Sequence, residues 1–164
     1  RETALATTRI TAGMMFILIC AQVFALAFRG LHGEKLVEDL FNVVPGGVDG
    51  VLIFMLALIF VLGFFIEWIE ISYIVVPLFL PLLLKMNVDL VWVASLIAVN
   101  LQTSFLTPPF GWALFYLRSV APPEVPTLAI YKGVVPFICL QMIALVLVYM
   151  YPGIATWLPR AIGW

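Results

Sequence analysis

The sequence Asn100-Leu-Gln-Thr-Ser-Phe-Leu-Thr-Pro-Pro-Phe-Gly111 interrupts a chain that is otherwise apolar enough to lie in lipid. It places five polar side chains and a Pro-Pro pair inside an apolar run. Proline has no backbone N–H and cannot continue a helix, and it pushes the preceding residue toward extended geometry. We therefore expect the helix that enters from about Val91 to break between Thr103 and Pro109 and to resume toward Arg118.

A helix break inside a membrane has an energetic consequence. The unpaired backbone groups cost several kcal/mol each unless protein, water or an ion satisfies them. One interpretation is a simple kink, capped by the nearby hydroxyl groups. The density of polar side chains beside Pro108 and Pro109 favours the other interpretation, a binding site.

The composition indicates an integral membrane protein. The 164 residues are 65% hydrophobic and 10% charged, whereas a soluble domain is about 45–50% apolar and about 25% charged. The apolar runs are long and lack strand-like alternation, so we predict an all-α, polytopic helical bundle. The net charge of -1 argues against a nucleic-acid partner. Because the sequence has no nucleotide loop, nucleophile–base pair or metal motif, we expect neither an enzyme nor a cofactor.

Two apolar runs have the length and composition of membrane-spanning helices. They are Ile10 to Phe28 and Ile130 to Tyr151, each close to the about 20 residues that a span requires. The polar segment from Arg29 to Gly47 follows the first of them, and its pattern suggests a short interfacial helix. The chain begins at Arg1 without an initiator Met, so we expect it to be a fragment of a larger protein.

Between these helices lie two shorter apolar arms around an acidic tip. The arms are Val51 to Ile66 and Ile71 to Leu84, and the tip contains Glu67 and Glu70. Because each arm is short of a full span, we predict a re-entrant helical hairpin. The alternative is one long kinked helix from Val51 to Leu84, which would bury two carboxylates near its middle at high cost.

Two groups of residues are candidates for function. Glu67 and Glu70 could be proton relays, ion ligands or substrate counter-ions, or simply solvated groups at the interface. The second group lies in the stretch from Asn100 to Gly111. Its side chains supply hard oxygen ligands of the kind that suit Na⁺, and the helix break adds backbone carbonyls without a helical partner. The N-terminus of a half-helix also attracts anions, and the C-terminus of a half-helix attracts cations. The oxygen ligands of this second group are Asn100, Thr103, Ser104 and Thr107.

These motifs resemble a known family. Gly63-Phe-Phe-Ile-Glu67, the prolines Pro77 and Pro81, and the element Asn100…Thr107-Pro-Pro-x-Gly111 are similar to the large permease subunit of TRAP transporters. These are the tripartite ATP-independent periplasmic transporters of bacteria and archaea. The resemblance covers essentially the whole chain and implies that it is the C-terminal part, holding the second of two inverted repeats.

The resemblance implies a fold and a division of the chain. The fold is that of elevator-type secondary transporters, in which the tips of a re-entrant hairpin and a broken helix meet near the midplane. Residues 1–47 would be a scaffold helix and connector. Residues 48–120 would be half of the transport domain, with the hairpin at 49–85 and the broken helix at 89–118. Residues 121–164 would form the last scaffold helix.

The resemblance also implies a function and partners. The protein would be a multi-pass permease of the cytoplasmic (inner) membrane, driven by Na⁺, with a small permease subunit and a periplasmic solute-binding protein that delivers an organic acid. The alternatives are proton coupling through Glu67 or Glu70, and a polytopic membrane enzyme or structural subunit. The predicted ion-binding residues are Gly63, Glu67, Asn100, Thr103, Ser104 and Thr107. The predicted substrate-binding residues are Glu70, Pro108, Pro109 and Gly111.

Overall fold

The computed structural model describes residues 1–33, 35, 39, 44–108, 111–122 and 124–163, and the described residues contain helices and no strand. The predicted interfacial helix within 29–47 falls largely outside the described residues. The segment Ile71–Val75 has π-helical geometry. The helices are α1 (Glu2–Gly30), α2 (Gly47–Leu62), α3 (Trp68–Lys85), α4 (Leu90–Leu106), α5 (Trp112–Val120), α6 (Thr127–Met150) and α7 (Gly153–Ala161).

The long apolar helices agree with the predicted helical membrane fold. Helices α1, α3 and α6 are long and apolar enough to cross a membrane, whereas α2 and α4 are shorter apolar helices. Helix α3 differs from expectation, because it begins at Trp68 and its 18 residues reach spanning length despite Pro81 inside it. The predicted re-entrant path of α2 and α3 therefore stays a prediction.

The turn between α2 and α3 is a true interruption of the helix. Helix α2 ends at Leu62, and Glu67 has extended backbone geometry, with φ -66° and ψ 154°. The alternative of one kinked helix from Val51 to Leu84 is therefore wrong. Glu67 precedes α3 and Glu70 lies in its first turn, so the two carboxylates do not share a continuous helical face.

Helices α2, α3 and α4 share the main apolar core. Between helices that lie in lipid, close packing of such side chains is the main attraction, because lipid tails are as apolar as the side chains themselves. The core residues are Val51, Leu52, Met55, Leu56 and Ile59 of α2, Ile71, Phe79 and Leu83 of α3, and Val93, Leu96, Ile97 and Leu101 of α4.

Helix α6 packs along α4, and one polar contact at its end joins the two helices directly. The Trp92 indole N–H donates to the Val148 carbonyl at 2.7 Å. The Tyr149 hydroxyl donates to Asp49 at the start of α2, at 2.8 Å. Both bonds cross the predicted boundary between residues 48–120 and 121–164, and that division stays a prediction.

The N-terminus of α4 is capped by Asp89. One of its carboxylate oxygens accepts hydrogen bonds from the backbone N–H groups of Val91 at 2.9 Å and Trp92 at 3.2 Å. Its other oxygen accepts from Arg160 of α7 at 2.9 Å. The Arg160 hydrogen bond, followed by the bond from Trp92, holds the pKa of Asp89 below its ordinary value. The start of the broken helix is thus held in place by charge-assisted contacts.

Candidate functional site

The break in the polar stretch begins inside the interval that the sequence predicts, Thr103 to Pro109, and toward its end. Helix α4 continues to Leu106, Thr107 is extended with φ -86° and ψ 127°, and α5 begins at Trp112. The break starts at Thr107 because the steric effect of Pro108 acts on the residue directly before it. The break therefore occupies 107–111, and Thr103 and Ser104 belong to the last turns of α4.

The hydroxyl groups of α4 are compatible with helix because each bonds to a carbonyl of its own helix. Thr103 Oγ1 donates to the Val99 carbonyl at 2.8 Å, and Ser104 Oγ donates to the Leu101 carbonyl at 2.8 Å. Thr107 Oγ1 donates to the Thr103 carbonyl at 2.7 Å. Each hydroxyl proton is therefore used, and the oxygen lone pairs remain as acceptors. A set of buried oxygens with committed protons suits a cation better than an anion.

Gly111 ends the break and starts α5. Its φ of 24° lies in the left-handed region, which side chains other than glycine adopt at a cost. A Cβ at this position would lie 3.1 Å from the Thr107 carbonyl oxygen and 2.9 Å from Leu114 Cδ1. The Gly111 N–H donates to that same Thr107 carbonyl at 3.1 Å, which closes the turn. Pro109, a predicted substrate-binding residue, lies outside the described residues.

The turn after α2 meets α4 at a glycine. A Cβ built on Gly63 would lie only 2.2 Å from Ser104 Oγ and 2.9 Å from Ser104 Cβ. Only a residue without a side chain allows this approach. The structure thereby brings together two predicted site residues that are distant in the chain. Gly63 lies in the turn after α2, and Ser104 lies in the last turn of α4.

A second contact lies on the same α2–α4 seam. The Asn100 side-chain amide donates to the Leu56 carbonyl at 2.8 Å, 44 residues away in the chain. Asn100 is only 2% exposed. With its N–H₂ group committed to α2, Asn100 holds the two helices in one register. It therefore positions the site, and a role as ion ligand would fall to its carbonyl oxygen.

The two acidic residues differ in their surroundings. Glu67 is half-buried and its carboxylate caps no helix N–H. Glu70 has one carboxylate oxygen, Oε2, that is buried and lacks a hydrogen-bond partner. No described hydrogen bond or ion pair joins either residue to Asn100, Ser104 or Thr107. The structure therefore brings Gly63 to Ser104 and ties Asn100 to α2, and it shows no contact of Glu67 or Glu70 with these residues.

A groove between α3 and α4 contains residues that the sequence analysis did not select. Its volume is about 550 Å³, and its wall is mostly apolar. Trp68, Ser72 and Gln102 supply its polar atoms. Of these residues, only Gln102 could have been selected from the sequence, because it lies within the polar stretch from Asn100 to Gly111.

Comparison with known proteins decides the family. Residues 1–154 match the sequence model of the family described as "Tripartite ATP-independent periplasmic transporter, DctM component". The chain belongs to this DctM family.

Individual relatives agree with this assignment. The DctM-family chain is 34% identical over 124 residues to the sialic acid TRAP transporter permease protein SiaT of Haemophilus influenzae, covering 76% of this chain and 20% of that protein. It is 28% identical over 155 residues to the ectoine TRAP transporter large permease protein TeaC of Halomonas elongata, covering 94% of this chain and 36% of that protein. It is 25% identical over 152 residues to the C4-dicarboxylate TRAP transporter large permease protein DctM of Vibrio cholerae, covering 92% of this chain and 33% of that protein.

These matches bear on the predicted class of protein. The named relatives are transporter permeases and not enzymes, which confirms the predicted family and excludes the membrane-enzyme alternative for this DctM-family chain. The chain spans between about one sixth and about two fifths of the length of the curated relatives it matches. The names of the three relatives refer to three chemically different solutes.

Proposed function

We propose that the chain is part of the large permease subunit of a Na⁺-coupled secondary transporter that imports an organic acid. The permease would lie in the cytoplasmic (inner) membrane and act with a small permease subunit and a periplasmic solute-binding protein. The family membership supports this assignment, and the C-terminal placement of the chain within the permease is part of the proposal.

The contact between Gly63 and Ser104 is the observation that carries the proposal. It places the turn after α2 against the last turn of α4, directly before the break at 107–111. Two helix interruptions that pack on each other provide unpaired backbone groups and side-chain oxygens in one place. This is the arrangement that a site for an ion and a solute requires.

The chemistry of the break favours a cation on one side and an anion on the other. The C-terminal carbonyls of α4 carry partial negative charge, and the N–H groups of α5 carry partial positive charge. Thr103, Ser104 and Thr107 add hydroxyl oxygens on the α4 side. We therefore assign Na⁺ to the α4 end and the carboxylate of the substrate to the start of α5, near Pro108 and Gly111.

Coupling would follow from linked binding. Na⁺ at the end of α4 would order the break, and an ordered break would present the α5 N-terminus to the substrate carboxylate. Each ligand then raises the affinity for the other by the same factor. We propose that the loaded site crosses the membrane by an elevator movement, as the family resemblance implies.

We expect Thr107→Ala to raise the Na⁺ concentration for half-maximal uptake by about tenfold, because the loss of one oxygen ligand worth about 1.4 kcal/mol has this effect. The measurement is uptake into proteoliposomes that contain the full-length permease with its two partner proteins. Replacement of external Na⁺ by choline should abolish uptake by the unaltered protein.

The control is Thr107→Ser, which keeps the hydroxyl group and should retain near-normal Na⁺ dependence. A purely structural role of Thr107 would lower the maximal uptake rate without a change in half-saturation by Na⁺. That result, or uptake that persists in choline, would contradict the proposed Na⁺ role.

A second candidate function is proton coupling, and the buried, unpartnered Oε2 of Glu70 favours it. This oxygen is an acceptor position that no described donor occupies. If protons drive transport, Glu70→Gln should remove the dependence of uptake on the pH gradient, with a more than tenfold loss of gradient-driven rate. Glu67→Gln is the matched comparison. Gradient-driven uptake that is equal in the wild type and Glu70→Gln would exclude this role.

A further inference from the structure

Helix α7 presents an uncovered apolar face. It follows α6 after two residues, Tyr151 and Pro152. Trp157 is 70% exposed, and Ile154, Leu158 and Ile162 are each more than half exposed. At about 100° per residue, these side chains share one face of the helix. A short helix thus directs its largest apolar side chains away from the rest of the described protein.

The opposite face of α7 is attached to the protein. Thr156 is only 2% exposed, and Arg160 forms the 2.9 Å ion pair with Asp89 at the start of α4. These two contacts determine which way the helix faces. Rotation of α7 to hide the apolar face would break the ion pair and expose Thr156.

The end of the bundle that carries α7 has the properties of a membrane surface. Helix α6 has 24 residues, is long and apolar enough to cross a membrane, and has little of its apolar stretch buried inside the described protein. At about 1.5 Å per residue it spans the hydrocarbon layer, so its end at Met150 reaches the boundary. Polar and aromatic groups gather at this end, as they do at membrane–water interfaces. They include the bond from Tyr149 to Asp49 and the contact of the Tyr149 and Trp92 rings, whose centroids are 5.7 Å apart.

We propose that α7 lies in the plane of the membrane and inserts its apolar face into the boundary between lipid headgroups and acyl chains. The partner of this face is the bilayer itself, because α7 continues directly from a membrane-spanning helix. A helix of nine residues is about 14 Å long and too short to cross the bilayer. An interfacial position keeps Arg160 and Asp89 near water while Trp157 and Leu158 contact lipid.

This position would set the depth of the start of the broken helix in the conformation described. Arg160 links α7 to Asp89, and Asp89 caps α4. In this conformation the N-terminus of α4 therefore lies at the level of the membrane surface, and an elevator movement of α4 would have to break the Arg160–Asp89 ion pair. The inference rests on the spanning helix α6 and is independent of the ion that drives transport.

The test measures the depth of single labelled positions in α7. A nitroxide spin label is attached to Ile154→Cys or Leu158→Cys in the full-length permease, reconstituted into phosphatidylcholine–phosphatidylglycerol vesicles. Cys20 and Cys139, both exposed, and any other cysteines are replaced first. Accessibility to oxygen, which concentrates in lipid, is compared with accessibility to a water-soluble nickel chelate. Leu140→Cys in the middle of α6 is the reference for the hydrocarbon core.

We expect both α7 labels to lie within about 5–10 Å of the headgroup boundary, with oxygen accessibility above that of the chelate and depth well short of Leu140→Cys. Three results would overturn the proposal. High chelate accessibility would place the face in water. Exclusion of both reagents would show that protein covers it. A depth equal to that of Leu140→Cys would place α7 in the hydrocarbon core.

A second measurement needs no cysteine and does not depend on the folding of those variants. Fluorescence of the unaltered protein and of Trp157→Phe is quenched by lipids brominated either near the headgroup or near the chain end. The difference between the two proteins reports on Trp157. We expect at least about twofold more quenching by the shallow bromines, since interfacial helices insert about 5–10 Å. Equal quenching, or none, would contradict the interfacial position.

Discussion

Gly63→Ala is expected to lower the free energy of unfolding by about 1–3 kcal/mol, the usual effect of overpacking a tight contact, and to remove most transport. The new Cβ would lie 2.2 Å from Ser104 Oγ and 3.3 Å from the Ile59 carbonyl oxygen. Gly63 has φ -64° and ψ -11°, which alanine adopts freely, so the effect is steric and not conformational. Thermal unfolding in lipid nanodiscs and uptake in proteoliposomes measure the two consequences.

A compensating variant tests the cause of this loss. Ser104→Gly in the Gly63→Ala background removes both clashing side-chain atoms and should recover most of the lost free energy of unfolding. Uptake should stay reduced at low Na⁺ concentration, because the Ser104 oxygen proposed for the Na⁺ site is also removed. Gly133→Ala is the matched control, because a Cβ there meets nothing within 4 Å, and alanine in a helix interior is favoured by about 0.5–1 kcal/mol. Wild-type stability and uptake in Gly63→Ala would show that the turn does not pack on α4 as described.

Asn100→Ala is expected to lower the free energy of unfolding by about 1–3 kcal/mol, because it removes an interhelical hydrogen bond and leaves a small cavity. The Asn100 amide is buried and bonds to the Leu56 carbonyl at 2.8 Å. Since this bond holds α2 in register with α4, the substrate concentration for half-maximal uptake should rise as well. Thermal unfolding in lipid nanodiscs and uptake in proteoliposomes measure these two effects, as for Gly63→Ala.

The control for Asn100 lies two residues away on the same helix. Gln102 is exposed, and Gln102→Ala should change stability by less than about 0.5 kcal/mol. Asn100→Asp keeps the shape and replaces the N–H₂ donor with an oxygen, so it should be at least as damaging as Asn100→Ala at neutral pH. Equal effects of the Asn100 and Gln102 substitutions would remove the assigned positioning role.

Family-level properties of this protein were predictable because local chemistry determines them. The length of the apolar runs predicts membrane helices, since a span requires about 20 apolar residues. Pro108 predicts a broken helix, because proline lacks an N–H and restricts the residue before it. The motif around Thr107 and Gly111 indicated the family, and the match over residues 1–154 confirms it. Each of these properties depends on residues that are close together in the sequence.

The interval predicted for the start of the break, Thr103 to Pro109, was wider than local sequence could narrow. Thr103 and Ser104 satisfy their hydroxyl groups on carbonyls of their own helix. The helix therefore continues to Leu106, and the break begins at Thr107. Likewise, the apolar count made the second arm too short, whereas Trp68 starts a helix of spanning length.

The sequence by itself determined the helical membrane fold, the family, and the presence of a helix break and of an acidic turn. Only the tertiary structure decided which of the candidate residues meet. Gly63 packs on Ser104 and Asn100 bonds to Leu56, while Glu70 keeps a buried oxygen without a partner. The physical reason is that helix formation and interruption depend on residues within a few positions. Contacts between α2 and α4 depend instead on close packing between side chains far apart in the chain and on the interhelical hydrogen bond from Asn100 to Leu56.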